Sequence, residues 1–388
     1  MNKISVALIL SFCCVTTAFS QDFSAILNSI EQHSLSLNAS RQEVIAAKAD
    51  SRLGNTLDDP EIGFGYLFGS NGRGNRKDFS ISQSFDFPTV YSQRSKFVKE
   101  QQRVADLRYL SDRQQLLLKA RKLCIEVVYC NALIHHLEED EEKTTAIAKS
   151  YEKLYEQGEA TEIELRKTHQ AVITFASECR EFLAMRDNLL AELQYMNGGE
   201  PVVISDSTFT HTPLSTDFDQ WLKENLDRHP DMQLAVGELL TQQSALKVAK
   251  GRQLPRLSLG YMAEIERDEN YHGVTLGVSV PLWSAGKKVK AAKAHVAAAA
   301  SRERDARLQL ATQLRGVYNE ALQLQESYHH YAKHISGCDV SPLLDKSLEK
   351  GQITLLTYYD ELQYSHDFYE AMLATERDLE LRKAELMF

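Results

Sequence analysis

The chain has 388 residues, in which 18 Gly and 8 Pro give too little punctuation for the two or three compact domains such a length ordinarily carries. Long uninterrupted helices are implied instead. A charged fraction of 25 % and a mean hydropathy of -0.36 exclude a bundle of transmembrane helices, and a net charge of -10 removes the electrostatic case for a nucleic-acid partner.

Lys3 precedes the apolar run from Ile4 to Phe12, and Ala18-Phe19-Ser20 places small residues ahead of Gln21, so residues 1–20 read as the signal peptide of an exported protein. Cys13 follows Phe12 rather than a small residue, and no lipidation is expected. The mature chain keeps Cys124, Cys130, Cys179 and Cys338. Cys124 and Cys130 stand about 9 Å apart along one predicted helix, beyond disulfide reach, and are expected as buried free thiols.

After the signal peptide the elements come in one order twice. Residues 21–197 form a first repeat: a helix over 22–53, a β-hairpin over 60–87, a long helix over 89–157 and a helix over 161–197. A connector covers 198–217. Residues 218–388 form the second repeat, with a helix over 218–250, a hairpin over 255–282, a long helix over 284–350 and a helix over 354–388. Asp59-Pro60-Glu61-Ile62-Gly63-Phe64-Gly65-Tyr66 matches Leu254-Pro255-Arg256-Leu257-Ser258-Leu259-Gly260-Tyr261 at an offset of 195, and Glu156-Gln157-Gly158 with Thr161 recurs as Glu349-Lys350-Gly351 with Thr354 at 193. The chain is a tandem duplication.

In the predicted strands, apolar side chains fall at every second position: Ile62, Phe64 and Tyr66; Phe79, Ile81 and Phe85; Leu257, Leu259 and Tyr261; Val274, Leu276 and Val278. Small or polar residues such as Gly63, Ser80, Ser82, Gly260 and Gly277 alternate with them. The helices step by three and four instead, as in Leu116, Ala120, Leu123, Val127, Cys130, Ile134 and Leu137, the spacing of coiled-coil partners. In each repeat the two shorter helices together match the long one, so they can stack end to end beside it over about 100 Å.

Strands of about ten residues have the length needed to cross a bilayer when tilted. The flanking helices commit their apolar seams to one another, so the apolar strand rows have no protein layer nearby and are expected to face lipid. Four strands cannot close, and an open edge is forbidden in a membrane. Two chains would make eight strands with a filled interior, whereas three make twelve and leave a lumen, which the small inward residues suit. The expected fold is therefore α+β, mainly α: long antiparallel coiled-coil helices plus four transmembrane β-strands per chain, completing a 12-stranded barrel and helical tunnel as a homotrimer.

The duplicated strand hairpin, the turns at Gly158 and Gly351 and the stacked helix lengths resemble the TolC family of outer-membrane efflux ducts over essentially the whole mature chain. The stretch from Phe79-Ser80-Ile81-Ser82-Gln83-Ser84-Phe85 through Pro88 to Tyr91 is similar to the heavy-metal branch, the CzcC and CusC type. The resemblance implies an exit duct in the outer membrane of a Gram-negative bacterium, extending into the periplasm. It implies passive conduction from an inner-membrane RND-type pump through a periplasmic adaptor, or membrane fusion protein, with metal cations within the range of cargo and no cofactor. The sequence departs from lipidated relatives in lacking their lipidation signal. A periplasmic coiled-coil adaptor or structural protein without a pore is the alternative.

The helix-hairpin tips around Gly158 and Thr161, and around Gly351 and Thr354, would then meet the partners. In the resembled family, carboxylates just after these turns ring the periplasmic aperture. Glu164 and Asp360 occupy such positions, while Thr357 stands where another acid can occur. Thr161 and Glu164 also spell a capping box. His330, His334 and Cys338 fall at i, i+4 and i+8 on one helix and offer imidazole and thiolate, but a solvated histidine pair beside a core cysteine explains them as well, and no metal is assigned. His135 and His136 are adjacent and point apart. There is no His-Glu-x-x-His, phosphate loop or nucleophile elbow, and no enzyme is expected.

Overall fold

A computed structural model describes residues 23–69, 74–210, 213–215, 217–266, 269–338 and 341–388. The expected signal peptide and the side chain of Cys338 lie outside the described residues. The elements are α1 (Ser24–His33), α2 (Leu35–Leu53), β1 (Glu61–Leu67), β2 (Arg76–Phe85), α3 (Pro88–Glu156), α4 (Glu162–Met196), α5 (Phe218–Asn225), α6 (Pro230–Gly251), β3 (Arg256–Ile265), β4 (Asn270–Ser279), α7 (Ala285–Cys338), α8 (Ser341–Glu349) and α9 (Leu355–Met387). Among the described residues no helix is long and apolar enough to cross a membrane.

The helix expected over 22–53 is broken. Ser34 is extended (φ -61°, ψ 119°), and its hydroxyl accepts the N–H of Leu37 at 3.4 Å, which starts α2 afresh. Gly198, at the end of α4, packs against this break. It has a φ of +69°, and a Cβ there would lie 2.4 Å from the carbonyl oxygen of His33. The helix expected over 218–250 is broken at the equivalent place. His229, 195 residues after Ser34, has φ -61° and ψ 130° and caps α6 by accepting the N–H of Asp231 at 3.3 Å. Pro230 opens α6 and disfavours helical backbone at the residue before it, a signal that a single helix over 218–250 overlooks. The two breaks thus match in backbone angles as well as in position.

The long helices organise a layer four helices wide. α3 packs against α2 and α4 on one side and α6 and α9 on the other, and α7 lies beyond α6 and α9. Short helices therefore stack end to end beside long ones. The seam predicted on α3 is real: Ala120, Val127, Cys130 and Leu137 are fully buried. One core joins α3, α4 and α9 through Leu133, Leu137, Phe175, Tyr358, Leu362 and Leu373, and another joins α1, α3 and the end of α4 through Ile30, Cys124, Val128 and Leu193. Cys124 and Cys130 are buried free thiols, pushed by desolvation up to about 12 and about 11. Within the chain, the layer ends on α2 and α4 at one side and on α7 at the other.

The four strands form one antiparallel sheet in the order β1-β2-β3-β4, so the two hairpins pair through β2 and β3. Ile62, Ile81, Tyr261 and Val274 make one continuous cross-strand row. Among the described residues β1 and β4 are left as open edges. Where β2 passes into α3, the buried carboxylate of Asp86 pairs with Arg94 of α3 and, at 2.9 Å, with Arg256 of β3. Arg256 also reaches Asp58, so sheet and helices are tied by one charged knot.

Candidate functional site

The register decides what each face of the sheet carries. Ile62, Phe64, Tyr66, Phe79, Ile81, Phe85, Leu257, Leu259, Tyr261, Val274, Leu276 and Val278 all fall on one face, as alternation in four antiparallel strands requires. Apart from the half-buried Phe85 they are exposed in the single chain, Val274 at 72 % and Leu276 at 83 %. So wide an apolar patch exceeds what an isolated water-facing surface ordinarily shows.

The opposite face is small and polar. A Cβ on Gly63 would meet the Ser80 hydroxyl at 2.7 Å, one on Gly260 the Thr275 hydroxyl at 2.7 Å, and one on Gly277 would come still closer to the Ser258 hydroxyl. Glycine is required there because side chains from adjacent strands crowd together. Toward the loop end, Arg76 bridges Asp78 at 2.7 Å and Glu264 at 2.6 Å on this same face. One surface therefore suits hydrocarbon and the other suits water.

At the far end of the helical layer, the two hairpin tips share a construction. Gly158 and Gly351 have φ of +75° and +65°, which an L side chain rarely adopts. The Gly158 N–H donates to the Tyr155 carbonyl and the Glu159 N–H to that of Leu154, and Gly351 and Gln352 repeat the pattern on Leu348 and Ser347. Thr161 and Thr354 then cap α4 and α9.

The two tips differ in their acids. Glu164 closes a capping box, its carboxylate accepting the Thr161 N–H at 2.8 Å and the Thr161 hydroxyl at 2.7 Å. Those bonds favour its charged form and hold its pKa below the ordinary value. The equivalent position in the second repeat is Thr357, whose N–H donates to Thr354 at 3.2 Å. Asp360 stands one turn farther along α9, exposed, in a groove between α4 and α9 that Lys167, Gln170, Tyr359 and Gln363 also line. Glu164 is thus engaged by its own helix end, whereas Asp360 is presented to solvent.

His330 and His334 are exposed on α7. A buried group of acidic and imidazole side chains comes together elsewhere, on α3, α4 and α9. His136 Nε2 approaches Asp140 Oδ2 at 3.4 Å, His366 Nδ1 approaches the same oxygen at 3.7 Å, and His366 Nε2 lies 3.3 Å from Glu178 Oε1. Asp140 and His366 are each 1 % exposed. Burial depresses the His136 imidazolium. Burial would raise Asp140, but His366, His136 and Lys143 outweigh it and keep the carboxyl below its usual value. Burial would likewise lower His366, but the carboxylates of Asp140 and Glu178 prevail and raise it. The i, i+4 spacing of His136 and Asp140 was visible in the sequence, whereas the arrival of His366 was not.

Residues 221–340 match the family model of the outer membrane efflux protein. No curated protein matches the chain by sequence. The fold is similar to that of the CmeC outer membrane channel of Campylobacter jejuni, with TM-score 0.76 and 13% identity over 95% of this chain and 85% of that one. It is similar also to the open state of the MtrE outer membrane channel of Neisseria gonorrhoeae, with TM-score 0.73 and 13% identity over 94% and 87%. Against CusC, a transmembrane channel, the TM-score is 0.71 with 13% identity over 95% and 91%. Residues 221–340 thus match the outer membrane efflux protein family model, and the chain over nearly its whole length is similar in fold to solved outer-membrane channels.

Proposed function

We propose that the chain is one third of an outer-membrane efflux duct, which leads substrates passively from an inner-membrane pump across periplasm and outer membrane. The observation that carries this reading is the two-faced sheet with unpaired edges at β1 and β4. Lipid would solvate the apolar face, but the free N–H and C=O groups of the edges must be paired by other copies. Three chains give twelve strands and a water-filled lumen walled by Gly63, Ser80, Ser82, Gly260 and Gly277.

The helical layer supports the same closure. Its two borders are built from different elements, α2 and α4 on one side and α7 on the other. Joining unlike borders head to tail generates a ring. The lumen would continue between the helices to the tips at Gly158 and Gly351, where a periplasmic adaptor and an RND-type pump would dock and Asp360 would narrow the opening. The duct carries out no covalent step. The likeness to CusC is matched by those to CmeC and MtrE, so it favours no cargo, and metal cations rest on the resemblance of the stretch from Phe79 to Tyr91.

Membrane extraction tests the reading against a pore-free periplasmic adaptor. A barrel stays in the outer-membrane fraction through high salt and high pH, needs detergent, and runs as a heat-modifiable trimer on gels. Release by salt or alkali as a water-soluble subunit would refute it.

A further inference from the structure

The buried cluster on α3, α4 and α9 is not used by the proposed duct, and its polar atoms are poorly served by the protein alone. Among the described residues, His136 Nε2, Asp140 Oδ2 and His366 Nδ1 are all buried and have no partner at full hydrogen-bonding distance, although they converge within 4.8 Å of one another. Their separations of 3.4 and 3.7 Å exceed the roughly 2.7–3.2 Å of a formed hydrogen bond. Ligands held tetrahedrally at about 2.0–2.2 Å from one Zn²⁺ stand about 3.3–3.6 Å apart. The two separations from Asp140 Oδ2, 3.4 and 3.7 Å, lie at that spacing or just beyond it.

The surroundings fit the same occupant. His366 Nε2 faces Glu178 Oε1 at 3.3 Å, and a hydrogen bond there leaves the Nδ1 lone pair directed at Asp140. A carboxylate behind a histidine is the usual outer partner that orients a metal-binding ring. The two imidazoles lie parallel (3° between planes), braced by Phe175 against His366 and Tyr369 against His136. Asp140 turns its other oxygen to Lys143 at 3.4 Å, so the Lys143 ammonium lies on the side away from the gap. Glu370 joins Glu178 around His366 and adds negative charge. The His136 side chain is 20 % exposed and gives a route in from solvent.

We propose that His136, Asp140 and His366 bind one divalent first-row transition cation of the Zn²⁺ type per chain, with a fourth position open to water. Two imidazoles and a carboxylate are ligands that such an ion accepts readily. The ion pins α9, at the end of the second repeat, to α3 of the first. The site lies within one chain, and it stands whether or not the strands enter a membrane.

The test uses the full-length protein in detergent, stripped with a chelator and titrated with Zn²⁺ by calorimetry, with bound metal measured by atomic spectroscopy. We expect one ion per chain and a raised melting temperature. Affinity should fall at least 100-fold in His366→Gln and His136→Gln, fall about 10- to 100-fold in Glu178→Gln, and be unchanged in His330→Gln. Should a ligand variant fail to assemble, Co²⁺ added to the stripped wild-type chain reports directly, because a four-coordinate ion gives strong visible absorption and an aqueous one does not. Less than one Zn²⁺ per chain, an aqueous-type Co²⁺ spectrum, or unchanged affinity in His366→Gln would show that a proton, not a metal, fills the gap, and would overturn the proposal.

Discussion

Two neighbouring residues on β4 give the sharpest test of which sheet face meets lipid. Val274 sits mid-strand in the row with Tyr261, Ile81 and Ile62 and projects from the apolar face, whereas Gly273 projects from the polar one. An added Cβ at Gly273 meets nothing within 4 Å, so a side chain can be introduced there without displacing a neighbour. Arginine near the midplane of a transmembrane barrel's lipid face costs about 2–4 kcal/mol, while one in the lumen is solvated. Val274→Arg should therefore lower the folding free energy in vesicles by about 3 kcal/mol per chain, a factor of about 150 in the equilibrium constant. Gly273→Arg should change it by about 0.5 kcal/mol or less. Equilibrium urea titration of the protein refolded into phospholipid vesicles reads both, and trimer migration on gels reads assembly. Equal costs at the two positions would refute the assignment of faces, and a near-zero cost at Val274 would remove the strands from the bilayer.

Other expectations follow from the tips and the charged knot. Asp360→Ala should raise single-channel conductance and weaken cation preference in planar bilayers, since an exposed carboxylate repeated around a narrow opening attracts cations; unchanged values would take Asp360 out of the aperture. Glu164 has a folded pKa below its ordinary 4.5, so its contribution is present above about pH 4.5 and is lost as the pH falls below that through the folded value. Hydrogen exchange at the start of α4 should accelerate over that acid range, and Glu164→Gln should abolish the pH dependence. Asp86→Ala leaves Arg94 buried without its partner and should cost about 3–5 kcal/mol in chemical denaturation, far more than loss of the exposed pair Arg166–Glu162.

The elements were legible in the sequence wherever a local period or a repeated motif determined them. Alternation fixed the side-chain faces of the strands without reference to any partner, because successive side chains in extended backbone must point to opposite sides. The glycine tips were equally readable, since only a residue without a Cβ enters the left-handed region at Gly158 and Gly351 cheaply. The break at Ser34 escaped because serine is tolerated in helices. Gly198 packs onto the His33 carbonyl at that break, a contact across more than 160 positions that no local pattern announces. Pro230 marked the matching break openly.

The free acid and the buried cluster divide along the same line. Glu164 and Asp360 look alike as carboxylates after a turn, and their difference lies in hydrogen bonds to Thr161 that one of them makes. His136 and Asp140 share a helix face by their spacing, but His366 reaches them because α9 packs against α3 and α4. By itself, the sequence determined a duplicated plan of amphipathic strands and coiled-coil helices, since periodicity is set by backbone geometry within each segment. Tertiary structure alone decided that β2 pairs with β3 and that His366 faces Asp140, because those contacts join residues some 180 to 230 positions apart, whose meeting no local pattern encodes.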